Sequence, residues 1–157
     1  TIRTIESDEA MLLTEFLYEA IYQPAGSQKV PRTVLQQPMI WAYVKDFGKL
    51  PDDICLVAVV DGLIVGAAWS RLGCSYGKID DTTPEFAISV YPEYRGKGIG
   101  TRLLSSLLDA IHKIGYGTVS LSVDKSNYAV GMYLKAGFEI LEEREHDYIM
   151  VKRWNNE

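Results

Sequence analysis

The chain has 157 residues, of which 47% are hydrophobic and 24% charged, and its formal net charge is -5. That length fits one domain spanning residues 1–157, able to bury roughly two thirds of its unfolded surface. No stretch approaches the ~18 uninterrupted apolar residues of a membrane span, Thr1-Ile2-Arg3-Thr4 lacks the basic-then-apolar layout of a secretory leader, and the acidic surplus argues against a nucleic-acid partner, whose phosphates call for a basic surface.

In chain order, Ile2 to Ile5 reads as a short strand, and Ser7 or Asp8 can cap the helix after it by accepting a bond from a first-turn amide. Leu13, Leu17, Ala20 and Ile21 keep helical spacing to about Tyr22. Gln23 to Pro38 holds three prolines and Gly26 and reads as a mobile loop, with a substrate-gating role left open. Met39, Ile40, Tyr43 and Phe47 predict a second short helix ending near Gly48. Cys55–Val60 and Leu63–Trp69 are apolar runs joined by Asp61-Gly62, a strong hairpin pattern. Leu72 to Thr83 reads as a loop, and Phe86, Ile88 and Val90 alternate as a strand with Glu85, Ala87 and Ser89 on the other face.

The clearest amphipathic helix follows, carried by Ile99, Leu103, Leu107, Ile111 and Ile114 with Leu104 and Leu108. His112 and Lys113 suit its negative C-terminal end, His112 facing solvent, and Gly115 suits its stop. Val119, Leu121 and Val123 form a strand, Ala129 to Ala136 a helix stopped by Gly137, and Phe138–Arg144 and Tyr148–Trp154 a closing strand pair around His146-Asp147. The strand-helix-strand order implies parallel neighbours with a right-handed crossover, hence an α/β class with a mixed sheet.

The chemistry concentrates at Val90-Tyr91-Pro92-Glu93-Tyr94-Arg95-Gly96-Lys97-Gly98-Ile99-Gly100-Thr101, where a strand runs into the best helix. A helix start exposes unpaired N–H groups and positive dipole charge, which suit an anion. Gly96, Gly98 and Gly100 let the backbone approach a pyrophosphate, and Arg95 and Lys97 can add charge-assisted bonds. Neither the Walker spacing nor the dinucleotide spacing fits, because no Lys follows Gly100 and Leu103 stands at the last glycine of the second pattern.

Arg95-x-x-Gly98-x-Gly100 followed by Leu103-Leu104 resembles the acetyl-CoA-binding motif of the GNAT superfamily of N-acetyltransferases. Val123-Asp124-Lys125-Ser126-Asn127-Tyr128-Ala129, then Tyr133 and Gly137-Phe138, looks like that family's second block, and the resemblance covers roughly residues 50 to 150. It implies a central mixed sheet with two splayed parallel strands, flanked by about four helices. It also implies acetyl-CoA as cosubstrate. Backbone of Ile88 and Val90 would meet the pantetheine arm, amides of Arg95, Gly96, Lys97, Gly98, Ile99, Gly100 and Thr101 the pyrophosphate, Asn127 the arm, and Tyr133 the sulfur. The reaction implied is direct attack of a primary amine on the thioester.

An alkyl ammonium must then lose a proton, at a cost near neutral pH of roughly 4–5 kcal/mol. Tyr133 is the candidate acid for the departing thiolate, although it could also simply pack. Glu85 is the candidate base, with an exposed strand-start glutamate as the alternative and a water relay as another. His146 beside Asp147 reads as a turn, and Glu142-Glu143-Arg144-Glu145 as a solvated strand edge. No Ser-nucleophile elbow, H-E-x-x-H or Cys/His cluster points to other chemistry or to a metal.

Tyr18, Tyr22, Trp41, Tyr43 and Trp69 would wall the acceptor side, mostly as core. The acceptor is left open between a small-molecule amine and a peptide or protein amine, with a cationic one favoured by the acidic surplus. The same motifs leave room for a non-catalytic acyl-CoA-binding module, and a homodimer is compatible with them. Cys55 and Cys74 lack C-x-x-C spacing and read as reduced thiols of a cytoplasmic domain, a disulfide between them being the other arrangement.

Overall fold

In the computed structural model, which describes residues 1–24, 26–73 and 75–154, strands β2 (Ile54–Val60) and β3 (Leu63–Arg71) pair antiparallel as far as Val60 opposite Leu63. Asp61 and Gly62 close that hairpin with φ of 50° and 81°, the left-handed pair that matches the twist of two strands. Strands β1 (Ile2–Thr4), β4 (Glu85–Val90), β5 (Thr118–Asp124), β6 (Glu139–Glu143) and β7 (Asp147–Arg153) complete a seven-stranded mixed sheet ordered β1-β2-β3-β4-β5-β7-β6. β4 and β5 are its parallel neighbours.

Their register contains one Cα pair, Glu85 opposite Ser120, joined by the Ser120 amide on the Pro84 carbonyl at 3.0 Å. Beyond that point the two strands part, so the expected splay opens from Glu85 toward Val90. The crossover between them is α3 (Ile99–Lys113), which buries Leu103, Leu104, Leu107, Leu108 and Ile111. With Phe86, Val90, Leu121, Tyr133 and Phe138 these residues form the core on one face of the sheet. Helix α1 (Leu13–Ala20) covers the other face, where Phe16, Leu17, Tyr43, Val57, Ala67 and Trp69 pack together. Both faces of β4 are therefore covered, with Ala87 and Ile88 left half-buried. Helices α2 (Pro38–Trp41) and α4 (Ala129–Lys135) complete the set of four.

Several local expectations are corrected. Glu6, rather than Ser7 or Asp8, heads the first helical segment, because the Glu9 carboxylate reaches back to the Glu6 amide at 2.9 Å. That segment is a 3-10 helix over Ser7–Leu12 before α1 begins. The loop before Pro38 contains a 3-10 helix at Arg32–Gln36, and Ala25 lies outside the described residues. The second helix stops at Trp41 and continues as turns to Gly48. Ile114 lies past the end of α3 and is exposed, since the helix turns its last apolar position away from the sheet. His112 is exposed, as expected, and also stacks on Trp154 with ring centroids 4.8 Å apart. Cys55 is buried, which pushes its thiol up to about 12; Cys74 lies outside the described residues.

Candidate functional site

A cleft of about 1440 Å³ enters between β4 and β5 and runs from the mouth of α3 to the N-terminal helices. At its α3 end, Gly96 and Gly98 have φ of 77° and 82°, a conformation that side chains resist. A Cβ on either would meet nothing within 4 Å. The space before the loop is thus clear. The first bond of the helix ladder is from the Arg102 amide to the Gly98 carbonyl at 3.1 Å, and among the described residues the amides of Gly96 to Thr101 donate to no backbone carbonyl. Positive φ, missing side chains and unpaired amides at a helix mouth are what an anionic diphosphate requires.

The two cations of the motif sit differently from expectation. Arg95 turns back to donate from Nε to the Val90 carbonyl at 2.8 Å and pairs with Glu19 at 3.3 Å. It therefore braces the loop against the end of β4. It also takes one lone pair of the Val90 carbonyl, part of the backbone expected beside the pantetheine arm. Lys97 Nζ lies 5.6 Å from the Tyr94 ring centroid. Asn127 stands just before α4, its Oδ1 accepting the Ala129 amide at 2.9 Å, which leaves its amide nitrogen as the donor toward the cleft it lines.

Tyr133 lines the same cleft from α4. Its ring is 7% exposed and packs edge-on against Phe86 at 5.9 Å and Phe138 at 5.8 Å. Burial raises the phenol well above its ordinary value, so it stays protonated through neutral pH. Packing and a cleft-lining position coexist here.

Glu85 is not an exposed strand-start residue: it is 2% exposed, because β4 is covered on both faces. Its Oε2 accepts the Tyr43 hydroxyl and, at 3.0 Å, the Gly77 amide. Its Oε1 is shut away from solvent and has no hydrogen-bond partner among the described residues. Desolvation pushes the carboxyl up to about 7, partly opposed by those bonds and by the charge of Arg144.

Several residues that complete this site escaped the sequence reading. Gly77 wedges between the strands where they begin to part: Ser120 Oγ donates to its carbonyl at 2.7 Å, and a Cβ would stand 2.7 Å from Glu85 Oε2, the Leu121 carbonyl carbon and the Ser122 amide. Two of those atoms are backbone and cannot swing aside. We expect Gly77→Ala to lower unfolding free energy by about 1–3 kcal/mol, the usual cost of overpacking. A denaturant midpoint equal to that of the wild type would mean that the strands can part to admit a methyl group.

Arg144, read as part of a solvated edge, instead grips Asp147 at 2.8 and 2.5 Å and donates to the Tyr76 carbonyl at 2.9 Å, lining the cleft. Asp147 in turn accepts the Ser122 hydroxyl at 3.0 Å. Tyr22, already read as a wall of the acceptor side, donates to the Ser126 carbonyl at 3.1 Å and ties the N-terminal segment to the β5–α4 loop. Apart from the Arg144–Asp147 pair, three residues apart, these contacts join distant parts of the chain that no local pattern could connect. His146 is 82% exposed, a turn residue as expected. Among the described residues no cluster of His, Cys, Asp or Glu could hold a metal ion, and no helix is long and apolar enough to cross a membrane.

Comparison with known proteins agrees with this arrangement. Residues 17–138 match the model of the acetyltransferase (GNAT) family. The L-methionine sulfoximine/L-methionine sulfone acetyltransferase of Salmonella typhimurium is 23% identical over 98% of this chain and 88% of that enzyme. The [ribosomal protein bS18]-alanine N-acetyltransferase of Escherichia coli is 36% identical over 43% of this chain and 47% of its own length. Among solved structures, the paia N-acetyltransferase of Thermoplasma acidophilum in complex with coenzyme A superposes with a TM-score of 0.70 at 22% identity, covering 98% of both chains. A family match over most of the chain, on a sheet splayed at the predicted pair of strands, leads to one conclusion: the chain belongs to the acetyltransferase (GNAT) family, the acetyl-CoA-dependent N-acetyltransferases that its Arg95-to-Gly100 motif resembles.

Proposed function

We propose that this chain transfers the acetyl group of acetyl-CoA to a primary amine by direct attack, with Glu85 receiving the amine's proton and Tyr133 protecting the departing sulfur. The observation that carries the reading is the set of unpaired amides from Gly96 to Thr101, opened by Gly96 and Gly98 onto a cleft that also reaches Tyr133 and Glu85. These residues fit the cosubstrate: a diphosphate matches the helix mouth, and the parted edge of β4 past Glu85 leaves backbone groups at Ile88 and Val90 for an amide-bearing arm.

Bound acetyl-CoA supplies an activated thioester carbonyl. The protein's own residues do the rest. Asn127 offers a donor beside the arm, and Tyr133 keeps its proton until a thiolate develops beside it. Glu85, held at about 7, is ionised enough near neutral pH to accept a proton and basic enough to keep it. The relatives act on an amino-acid analogue in one case and a ribosomal-protein alanine in another, so small-molecule and peptide amines both belong in the assay. Thiol release from acetyl-CoA across a panel of such amines tests the reading, and binding without turnover of any amine would favour the acyl-CoA-binding module instead.

The carboxyl also predicts a stability profile. Its folded value of about 7 lies above its ordinary value near 4.5. Between those two pH values the folded protein holds a proton that the unfolded chain has released. Stability should therefore be full below about 4.5 and fall as pH rises, by about 3 kcal/mol once past 7. Glu85→Gln should remove that decline and be the more stable protein at alkaline pH. Parallel curves for the two proteins in denaturant melts from acid to alkaline pH would rule out the raised value.

A further inference from the structure

The buried carboxyl has a difficulty as a base: it lines the cleft, but its vacant oxygen is shut away from solvent. Glu85 is 2% exposed, and Oε1, the oxygen without a partner, is walled off from solvent. The other oxygen is covered by Tyr43 and Gly77. Tyr43 lines the same cleft as Glu85 and covers the oxygen Oε2. Its ring stands in the core beneath α1, and its carbonyl is anchored by Trp69 Nε1 at 3.0 Å. The hydroxyl thus touches the carboxylate on one side, in a residue that faces the acceptor half of the cleft. A phenol is both donor and acceptor, so it can take one proton while giving another.

We propose that Tyr43 is a further catalytic residue, a relay that carries the acceptor's proton to Glu85. This rests on the reading of Glu85 as the proton's destination. In the step, an N–H bond of the acceptor ammonium breaks and its proton bonds to the Tyr43 oxygen. At the same time the Tyr43 O–H proton passes to Glu85 Oε2. The nitrogen keeps its lone pair for the thioester, Tyr43 ends neutral as it began, and Glu85 changes from carboxylate to acid. After the product leaves, the chain runs backward to solvent buffer.

The charges around the pair are consistent with this. Arg144, from the β6–β7 turn, faces both groups and favours the ionised carboxylate, while its own charge is balanced by Asp147. Arg71, opposite Glu85 on β3, is held by Asp53 at 2.8 Å and by carbonyls of Ala42 and Lys45. Gly77 contributes a fixed amide and no titratable group. The Glu85 carboxyl is thus the group of this cluster that changes charge near neutrality.

Tyr43→Phe keeps the ring and removes the relay. With whichever amine of the panel turns over best, kcat/KM against pH should rise through about 7 in the wild type. In Tyr43→Phe that rise should vanish, as in Glu85→Gln, with the rate at pH 7 down about 10²-fold. The double variant should be no slower than either single one, because both cut the same chain. Coenzyme A should still raise the melting temperature of each variant, which separates a broken relay from a broken fold.

If the rise survives in Tyr43→Phe but moves to higher pH, Glu85 takes the proton directly, Tyr43 only positions it, and the relay is overturned. If the single defects multiply in the double variant, the relay is likewise overturned. Absence of turnover by the wild type with every amine would sink the acetyl-transfer reading itself, a different result from either.

Discussion

Tyr133→Phe should lower kcat by about 10²- to 10³-fold while leaving coenzyme A affinity within about twofold. The phenol packs its ring against Phe86 and Phe138, and phenylalanine reproduces that packing, so the variant loses the hydroxyl alone. Among the described residues the hydroxyl has no hydrogen-bond partner in the protein, and it lines the cleft. No structural bond is sacrificed. What disappears is a proton held ready for a developing thiolate, and removal of a positioned acid commonly costs 10²–10⁴-fold. The raised value of the phenol does not count against the role, because the dry site that disfavours phenolate disfavours the free thiolate as well. The decisive comparison is single-turnover rate against calorimetric affinity. An unchanged rate with unchanged affinity would return Tyr133 to the core.

Gly98→Glu should weaken coenzyme A binding by at least about 100-fold. Gly98 has φ 82° and ψ 2° and precedes the first turn of α3. A side chain there is strained by about 1–2 kcal/mol, but its Cβ would enter open space, so the domain should still fold. The added carboxylate would stand where the helix mouth presents unpaired amides, compete for them and repel a diphosphate. Loss of one or two hydrogen bonds to a charged group, at about 1.5–3 kcal/mol each, is enough for that factor. Gly98→Asn is the internal control, since asparagine tolerates the left-handed conformation without adding charge. It should bind far better than the glutamate variant. Wild-type affinity in a folded Gly98→Glu protein would place the anion elsewhere.

The legible and illegible parts of the site divide by distance along the chain. The Asp61-Gly62 turn, the φ-positive glycines at 98, 115 and 137 and the apolar stripe from Leu103 to Ile111 are patterns within a few residues. Each is where the sequence reading put it. Glu85 was reachable from alternation along β4, but whether it was buried or exposed was not. That depended on α1, whose Phe16 carbonyl accepts the Ser89 hydroxyl at 2.7 Å from 73 residues away. Tyr43 read as one more wall aromatic, Gly77 as loop and Arg144 as surface, because their importance lies in partners. Tyr43 and Glu85 are 42 residues apart, and Ser120 and Gly77 are 43 apart. Arg95 was read as a cation of the motif, but its guanidinium turns back to the Val90 carbonyl at the end of β4.

By itself, then, the sequence determined the family, the splayed pair of strands and the glycine-opened helix mouth, since backbone conformation at glycines and periodic burial are set by neighbours in the chain. The tertiary structure alone decided that a carboxyl at the start of β4 would be sealed from water, raised to about 7 and bonded to a tyrosine from the opposite layer. The reason is electrostatic. A carboxyl's proton affinity follows the solvent it has lost and the dipoles that replaced it, and those come from segments that only folding brings together.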